Sequence, residues 1–307
     1  MAIRPGDTVV ILGGCGFLGR ALISELHGRG YHLRVATRRP DRHRDLLVLP
    51  RLDLAAGDVH DERFLQEIVA GAKAVVNLVG ILKETRPEDF RRVHEELPTR
   101  MARAGHNLRL VHVSALGARH ESQSAYLRSK AAGEKGLRAG APGAVILRPS
   151  VIYGPHDHFV CRFVHLLRFA PLGLPVPLAQ SLLAPVYVAD VAFGLVAALT
   201  QAHAEGQTYE LCGPEVLSLG AIVRAIAQAR GCRFAPWPLS SDISLLFARL
   251  SERLPYAPFT VDQWHTLTEA EAAPCTADNP GFAALGVSPR PFLATLPSLV
   301  EGPRGSC

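Results

Sequence analysis

A doubly wound parallel α/β sheet with a smaller C-terminal lobe is the fold this sequence predicts, and three observations carry the prediction. β-branched apolar runs alternate with segments of helical periodicity from Thr8 to Leu147. A glycine-rich turn follows the first of these runs directly. After Pro149 the texture changes, as prolines recur at 155, 171, 175, 177 and 185 and interrupt any long element.

In chain order, Thr8 to Leu12 is an apolar run that ends in glycines, and Leu18 to Leu26 then repeats apolar residues at helical spacing: strand, tight turn, helix. Tyr31 to Thr37 predicts a second strand, Arg51 to Leu54 a third and Ala74 to Val79 a fourth, each preceded by a helix or turn. A helix from Glu88 to Arg103, a strand from Leu108 to Ser114, a helix from Ser124 to Arg138 and a strand from Ala144 to Leu147 continue the alternation. Strands spaced by helices in this way pair in parallel through right-handed crossovers and are covered on both faces. Beyond Pro149, Pro185 to Val188 and Gly206 to Leu211 read as strands and Asp190 as a helix N-cap, so residues 184–212 are expected to return to the main sheet. Helices from Leu219 to Ala229 and from Ile243 to Leu254, with a proline-broken tail, fill the lobe.

The bulk numbers agree. At 307 residues the chain exceeds one compact core, and 48% hydrophobic with 20% charged residues is a globular composition with no tract that must stay disordered. The 33 basic residues behind the net charge of +5 are spread among 28 acidic ones, so no nucleic-acid partner is expected. Six cysteines, at 15, 161, 212, 232, 275 and 307, show no Cys-x-x-Cys pair and no zinc-like spacing, and read as reduced thiols in a cytosol. The run Val9 to Leu12 is too short for an export signal, and apolar stretches such as Leu195 to Leu199 fall far short of the roughly 20 residues of a membrane span. A soluble, cytoplasmic protein is expected.

The turn Gly13-Gly14-Cys15-Gly16-Phe17-Leu18-Gly19 satisfies both Gly-x-x-Gly-x-x-Gly and Gly-x-Gly-x-x-Gly between a strand and a helix. Residues without a Cβ let backbone approach a pyrophosphate, and the helix N-terminus points free amides at its charge. The same turn without a ligand is the alternative. A Rossmann-type dinucleotide domain over residues 1–155 and a substrate or partner lobe over 156–307 follow. The second strand ends Val35-Ala36-Thr37-Arg38-Arg39, with no carboxylate to grip ribose hydroxyls. Two guanidiniums there fit a 2′-phosphate, which favours NADP(H); ordinary surface arginines are the other explanation. Asp58 and Val59 after the third strand are placed to meet the adenine, and Asn77, Leu78, Val79 and Gly80 at the end of the fourth to pass the ribose.

Tyr126-Leu127-Arg128-Ser129-Lys130 puts a phenol and an ammonium four apart on one helical face. The ammonium would draw the phenol's pKa down toward working pH and make Tyr126 a proton donor or acceptor beside a hydride transfer. Ser114, ending the fifth strand, would hydrogen-bond a substrate carbonyl or hydroxyl. Such a Tyr–Lys pair also occurs by chance in many helices, and its position in the fold is what raises it. Among weaker signals, His156-Asp157-His158 lacks the further ligands a zinc site needs, so no metal is expected. Cys15 stands near a helix N-terminus, which would lower its pKa, and fits simply as a small residue. Ile243, Leu246, Phe247 and Leu250 form a stripe that either covers the substrate cleft or docks on a membrane or partner.

With Arg148-Pro149-Ser150-Val151-Ile152-Tyr153-Gly154-Pro155 and Pro185-Val186-Tyr187-Val188-Ala189-Asp190-Val191 added to these motifs, the chain resembles the extended or atypical short-chain dehydrogenase/reductases, relatives of nucleotide-sugar epimerases, over most of its first 215 residues. Asn77 to Leu82, His112 to Ala118 and Tyr126 to Glu134 further resemble the NADPH-binding accessory subunit family of respiratory complex I and its bacterial homologues. The resemblance implies bound NADPH with Tyr126 and Lys130 on its ribose and Pro149, Val151 and Ile152 flooring the nicotinamide. It also implies peripheral placement at the inner face of a membrane near a respiratory or quinone-biosynthesis complex, and an unknown small-molecule substrate. The chain departs from the catalytic pattern in two places: Ser114 and Tyr126 are only twelve apart, and His94 stands where many extended members carry an asparagine. An oxidoreductase, a non-catalytic subunit stabilised by NADPH and, less favoured, a nucleotide-sugar epimerase or dehydratase all remain open.

Overall fold

The computed structural model describes residues 2–169, 173–231, 236–253, 259–270, 275 and 279–300. Strands β1 (Thr8–Leu12), β2 (His32–Thr37), β3 (Leu52–Ala56), β4 (Ala74–Asn77), β5 (Arg109–Val113) and β6 (Val145–Pro149) alternate with helices α1 (Phe17–Gly28), α2 (Glu62–Val69), α3 (Leu97–Ala104) and α4 (Ala125–Gly140). In the second half come β7 (Ile152–Tyr153), α5 (Val160–Phe169), β8 (Leu174–Pro177), β9 (Leu182–Leu183), β10 (Val186–Tyr187), α6 (Val188–Thr200) and β11 (Thr208–Leu211). The described chain ends with β12 (Leu217–Ser218), α7 (Leu219–Ala229), β13 (Pro236–Leu239), α8 (Ser241–Ser251), α9 (Val261–Ala270) and α10 (Phe292–Val300).

The main sheet has seven strands in the order β11-β6-β5-β4-β1-β2-β3, every pair parallel. The order reverses between β1 and β4, and a ligand crevice forms where strands leave their C-terminal ends in opposite directions. Continuous apolar strands arise because both faces are covered. In β1, Val9 and Ile11 enter a core with Leu22 and Leu26 of α1 and Val191 and Leu195 of α6. Val10 and Leu12 enter the opposite core with Leu65 of α2, Leu97 and Met101 of α3 and Leu137 of α4. A third core, around Tyr153, Val164, Ile222, Ile226 and Phe292, belongs to the lobe.

Several expectations change. β10 pairs with β7 and not with the main sheet, which β11 alone rejoins, beside β6. Asp190 is not an N-cap: Tyr187 holds that position, and the Asp190 carboxylate, 1% exposed, receives the Arg290 amide at 2.7 Å and its guanidinium at 3.3 Å. The helix expected from Glu88 begins as a π-turn over Arg91–Glu96, because Pro98 has no amide to offer the His94 carbonyl. The tail holds two helices, α9 and α10, despite its prolines. Helix α8 ends at Ser251, and Leu254 lies outside the described residues.

The thiols are not all reduced. Cys212 and Cys275 form a disulfide with Cα atoms 6.2 Å apart, and Cys161 is disulfide-bonded as well. Spacing hides this pairing because the two cysteines lie 63 residues apart and meet only in the folded chain. Cys15 is free, and burial raises its pKa where the helix N-terminus had been expected to lower it. Among the described residues no helix is long and apolar enough to cross a membrane.

Candidate active site

The glycine turn is shaped by two needs. Gly13 sits at φ +81°, a left-handed conformation, and an added Cβ would press to 3.1 Å on the backbone of Leu78. A Cβ on Gly19 would overlap the Gly14 carbonyl, so α1 starts against the turn only with glycine there. Gly14 similarly leaves room for Val35, and Gly16 is the N-cap of α1. No side chain caps that helix and no acid stands in its first turn, so the amides at Phe17 and Leu18 meet no side-chain acceptor among the described residues.

Arg38 and Arg39 follow β2, both exposed, and neither forms an ion pair among the described residues. Of the acids just beyond them, Asp41 pairs with Arg44 at 3.6 Å and Asp45 with Arg20 of α1. Asp58 turns its carboxylate to the His60 amide at 3.0 Å and to Arg92 at 3.2 Å, while Val59 packs on the core under α2 and α3. Asn77, fully buried, accepts the Val79 amide at 3.0 Å and approaches His112 Nδ1 at 3.2 Å, which shapes the turn through Leu78 to Gly80.

Around this turn the catalytic candidates meet. Gly80 faces Lys130 Nζ and His94 Nε2, each 3.8 Å from the position of an added Cβ. Lys130, 3% exposed, donates to the Val113 carbonyl at 2.9 Å, and burial lowers its pKa to about 8. The Ile81 amide donates to His94 Nε2 at 3.1 Å, and His94 Nδ1 lies 2.8 Å from Ser129 Oγ, which itself donates to the Tyr126 carbonyl at 2.7 Å. That sequence of donors assigns the proton to Nδ1 of a neutral ring. Burial, with the Lys130 charge second, pushes the His94 pKa down to about 3. His94 is thus a neutral strut between the β4 turn and α4.

Ser114 is 4% exposed, and its Oγ has no hydrogen-bond partner among the described residues. A buried hydroxyl left in this state is suited to a ligand oxygen. Tyr126 is partly buried beside Phe90 and His94, with ring centroids 6.0 and 5.5 Å away. Its pKa departs from the expectation: burial, and secondly the Asp262 carboxylate, raise it to about 12. Pro149 is buried at the end of β6 and accepts the Leu116 amide at 3.0 Å, with Val151 and Ile152 half-buried beyond it. Of the weaker signals, Asp157 caps the start of α5, accepting the amides of Gly154, Phe159 and Cys161.

Helix α9 supplies site residues that the sequence reading missed. Asp262 accepts the Ala125 and Tyr126 amides at 2.5 and 3.3 Å and the Ser124 hydroxyl at 3.1 Å, so it caps the helix that carries Tyr126 and Lys130. Thr266 meets Ser124 Oγ at 2.8 Å. Glu269 takes Arg119, Ser122 Oγ and the Gln123 amide, each at 2.6 Å. A signal was present: positions 262, 266 and 269 lie four and three apart, one polar face on a helix. The brace closes the short segment between Ser114 and Tyr126.

Residues 9–212 match the family described as NAD dependent epimerase/dehydratase. The chain is 33% identical, over 94% of its length and 78% of the relative's, to the mouse (Mus musculus) protein named NADH dehydrogenase (ubiquinone) 1 alpha subcomplex subunit 9, mitochondrial. It is 37% identical to a ceramide reductase of Caulobacter vibrioides over 64% of this chain and 62% of that one. Among solved structures, a nucleoside-diphosphate-sugar epimerase from Staphylococcus aureus superposes with a TM-score of 0.74 at 15% identity, over 94% of this chain and 99% of that one. An NADPH-dependent quinone oxidoreductase from Escherichia coli, complexed with NADPH, gives 0.74 at 16% identity over 94% and 98%. At those identities the likeness is one of fold.

Proposed function

Because the chain belongs to the NAD dependent epimerase/dehydratase family and is closely related to the subunit 9 proteins of respiratory complex I, we propose that it binds NADP(H) and serves as an oxidoreductase at the inner, cytoplasmic face of a membrane, linked to quinone or respiratory metabolism. The observation that carries the cofactor choice is the pair Arg38 and Arg39: two exposed guanidiniums without ion pairs among the described residues follow β2, where an NAD site would place an acid. Gly13, Gly14, Gly16 and Gly19, with the uncapped start of α1, leave the space and the amides a diphosphate needs. The unpartnered Ser114 Oγ fits the reacting end of the same ligand or its substrate.

Bound NADP(H) supplies or takes the hydride. Lys130, tied to the Val113 carbonyl, holds its ammonium beside Gly80, where it would bind the ribose. Tyr126, kept protonated at neutral pH, is a proton donor in the reductive direction. Ser114 orients the substrate oxygen, and Pro149, Val151 and Ile152 wall the site. The ceramide reductase and quinone oxidoreductase likenesses accord with a hydrophobic carbonyl or quinone as substrate.

One observation favours a second reading, a non-catalytic subunit stabilised by NADPH: the loop before Tyr126 is short and closed by α9, and the phenol's proton is held tightly. Ligand occupancy alone stabilises a fold by several kcal/mol when ligand is abundant. Two measurements decide. NADPH and NADH are titrated against wild type and Arg38→Ala/Arg39→Ala. We expect NADPH to bind wild type tightly and to weaken about 10–100-fold in the variant, the worth of charge-assisted hydrogen bonds, with NADH little changed. Equal affinities in wild type would refute the assignment. NADPH oxidation is then followed with quinones, ketones and aldehydes. Turnover lost in Tyr126→Phe supports the enzyme, and bound NADPH that no substrate oxidises supports the subunit.

A further inference from the structure

His112 lies in β5, two residues before Ser114, is 1% exposed, and has one ring nitrogen, Nε2, that meets no partner among the described residues. The other nitrogen fixes which of the two carries the proton. The Val79 amide donates to Asn77 Oδ1 at 3.0 Å, so the opposite end of that side chain is its amide nitrogen, and Asn77 Nδ2, 3.2 Å from His112 Nδ1, donates to it. Nδ1 accepts, and the proton of the neutral ring is thereby assigned to Nε2. Burial, and after it the Lys130 charge, hold the His112 pKa well below the ordinary 6.5, so the ring stays neutral at physiological pH. A buried N–H left without an acceptor costs about 1–3 kcal/mol.

The complement of this bare donor stands on the same face of the strand. Leu110 packs in the core under α2, α3 and α4 and Val111 in the opposite one, so alternation turns His112 and Ser114 toward the α3 and α4 side. The Ser114 amide donates to the Leu147 carbonyl at 2.7 Å, which keeps Ser114 in the strand's register. Its Oγ, 4% exposed, is the second buried polar atom here without a partner among the described residues. A hydroxyl accepts and donates at once, whereas an imidazole N–H only donates. We propose that His112 is a positioning residue for Ser114: its Nε2–H donates through one bridging water to Ser114 Oγ and so turns the serine's proton outward to a ligand oxygen. The water accepts from the ring and donates to the serine, two bonds that relieve both buried groups. Donors then run one way from the Val79 amide through Asn77, His112 and the water to Ser114, and each bond polarises the next. A serine set in this way offers its proton forward, which suits a carbonyl or quinone oxygen, one that can only accept. The choice of oxygen rests on the oxidoreductase reading above, whereas the chain of donors does not.

The test has two arms, both on the full chain saturated with NADPH. In the first, long-range proton–nitrogen correlation spectra of histidine-labelled protein read the His112 tautomer, assigned by through-bond correlation to its own backbone. An Nε2–H signal that exchanges slowly with solvent and shifts in Ser114→Ala is expected. An Nδ1–H tautomer, or an Nε2–H signal that Ser114→Ala leaves in place, would overturn the proposal whether or not the protein turns over. In the second, NADPH oxidation is followed with the quinone, ketone or aldehyde that wild type reduces. His112→Phe keeps a ring and removes the donor; it is expected to lower kcat about tenfold with KM within about twofold, and His112→Gln, whose amide nitrogen reaches toward the Nε2 position, to recover part of the loss. His112→Phe/Ser114→Ala is expected to be no slower than Ser114→Ala alone. Losses that multiply would show separate roles and overturn the link. Wild type with the shifted Nε2–H signal and no turnover would support the link and overturn the oxidoreductase reading.

Discussion

Lys130 carries its charge in a place with almost no water, and the protein is less stable for it. Its folded pKa of about 8 lies below the ordinary 10.5. The unfolded chain therefore holds the proton more tightly, the cost is fully present below pH 8, and stability rises as pH climbs from about 8 to 10.5. At about 1.4 kcal/mol per decade that gap is worth about 3 kcal/mol, offset by about 1 kcal/mol for the bond to Val113. Lys130→Met is expected to gain about 1–2 kcal/mol at pH 7 in urea unfolding and to lose the rise above pH 8; a variant less stable than wild type would refute the argument. Asp262 acts in the other sense on Tyr126, because its negative charge opposes the phenolate. Asp262→Asn should lower the Tyr126 pKa from about 12, read by ultraviolet titration of phenolate against a Tyr126→Phe background. An unchanged titration would remove Asp262 from the account. At this scale the candidates Ser114, Tyr126 and Lys130 are proposed from the sequence because strand ends and a four-residue spacing mark them. Asp262 is not, since it acts across 136 residues on a backbone.

At the scale of elements, one proline sets the helix contact that holds the site. Pro98 opens the π-turn, the His94 carbonyl turns toward α4, and only a glycine at 133 lets α4 come that close, as a Cβ there would overlap the carbonyl. Gly133→Ala is expected to cost about 1–3 kcal/mol and to weaken NADPH binding by displacing Lys130. Gly28→Ala, at the end of α1 with open space around it, should instead be neutral or stabilising by up to about 1 kcal/mol. Paired thermal melts check both, and equal effects would rule out a packing origin. The strands and the glycine turn were readable from periodicity because a buried parallel sheet demands unbroken apolar runs. The π-turn was not, because its cause and its consequence lie on different helices.

Across the whole molecule, the disulfide Cys212–Cys275 closes a loop of 63 residues and ties the tail to the segment after β11. Closing a loop of that size restrains the unfolded chain and is worth about 2–4 kcal/mol. Reduction, or Cys212→Ser, should lower Tm by several degrees, and mass spectrometry of unreduced peptides should find the 212–275 link. Both thiols alkylated in protein isolated without reductant would contradict the pairing. Because disulfides persist where thiols are oxidised, the same experiment bears on the cytoplasmic placement.

The sequence by itself determined the sheet, its alternating helices and the glycine turn, since each depends on contacts among near neighbours: alternation, helical period, missing Cβ atoms. Tertiary structure alone decided the protonation of Tyr126, the neutrality of His94 and the cysteine pairing. Those properties are set by charge, burial and distance between segments far apart in the chain, and no local pattern records them.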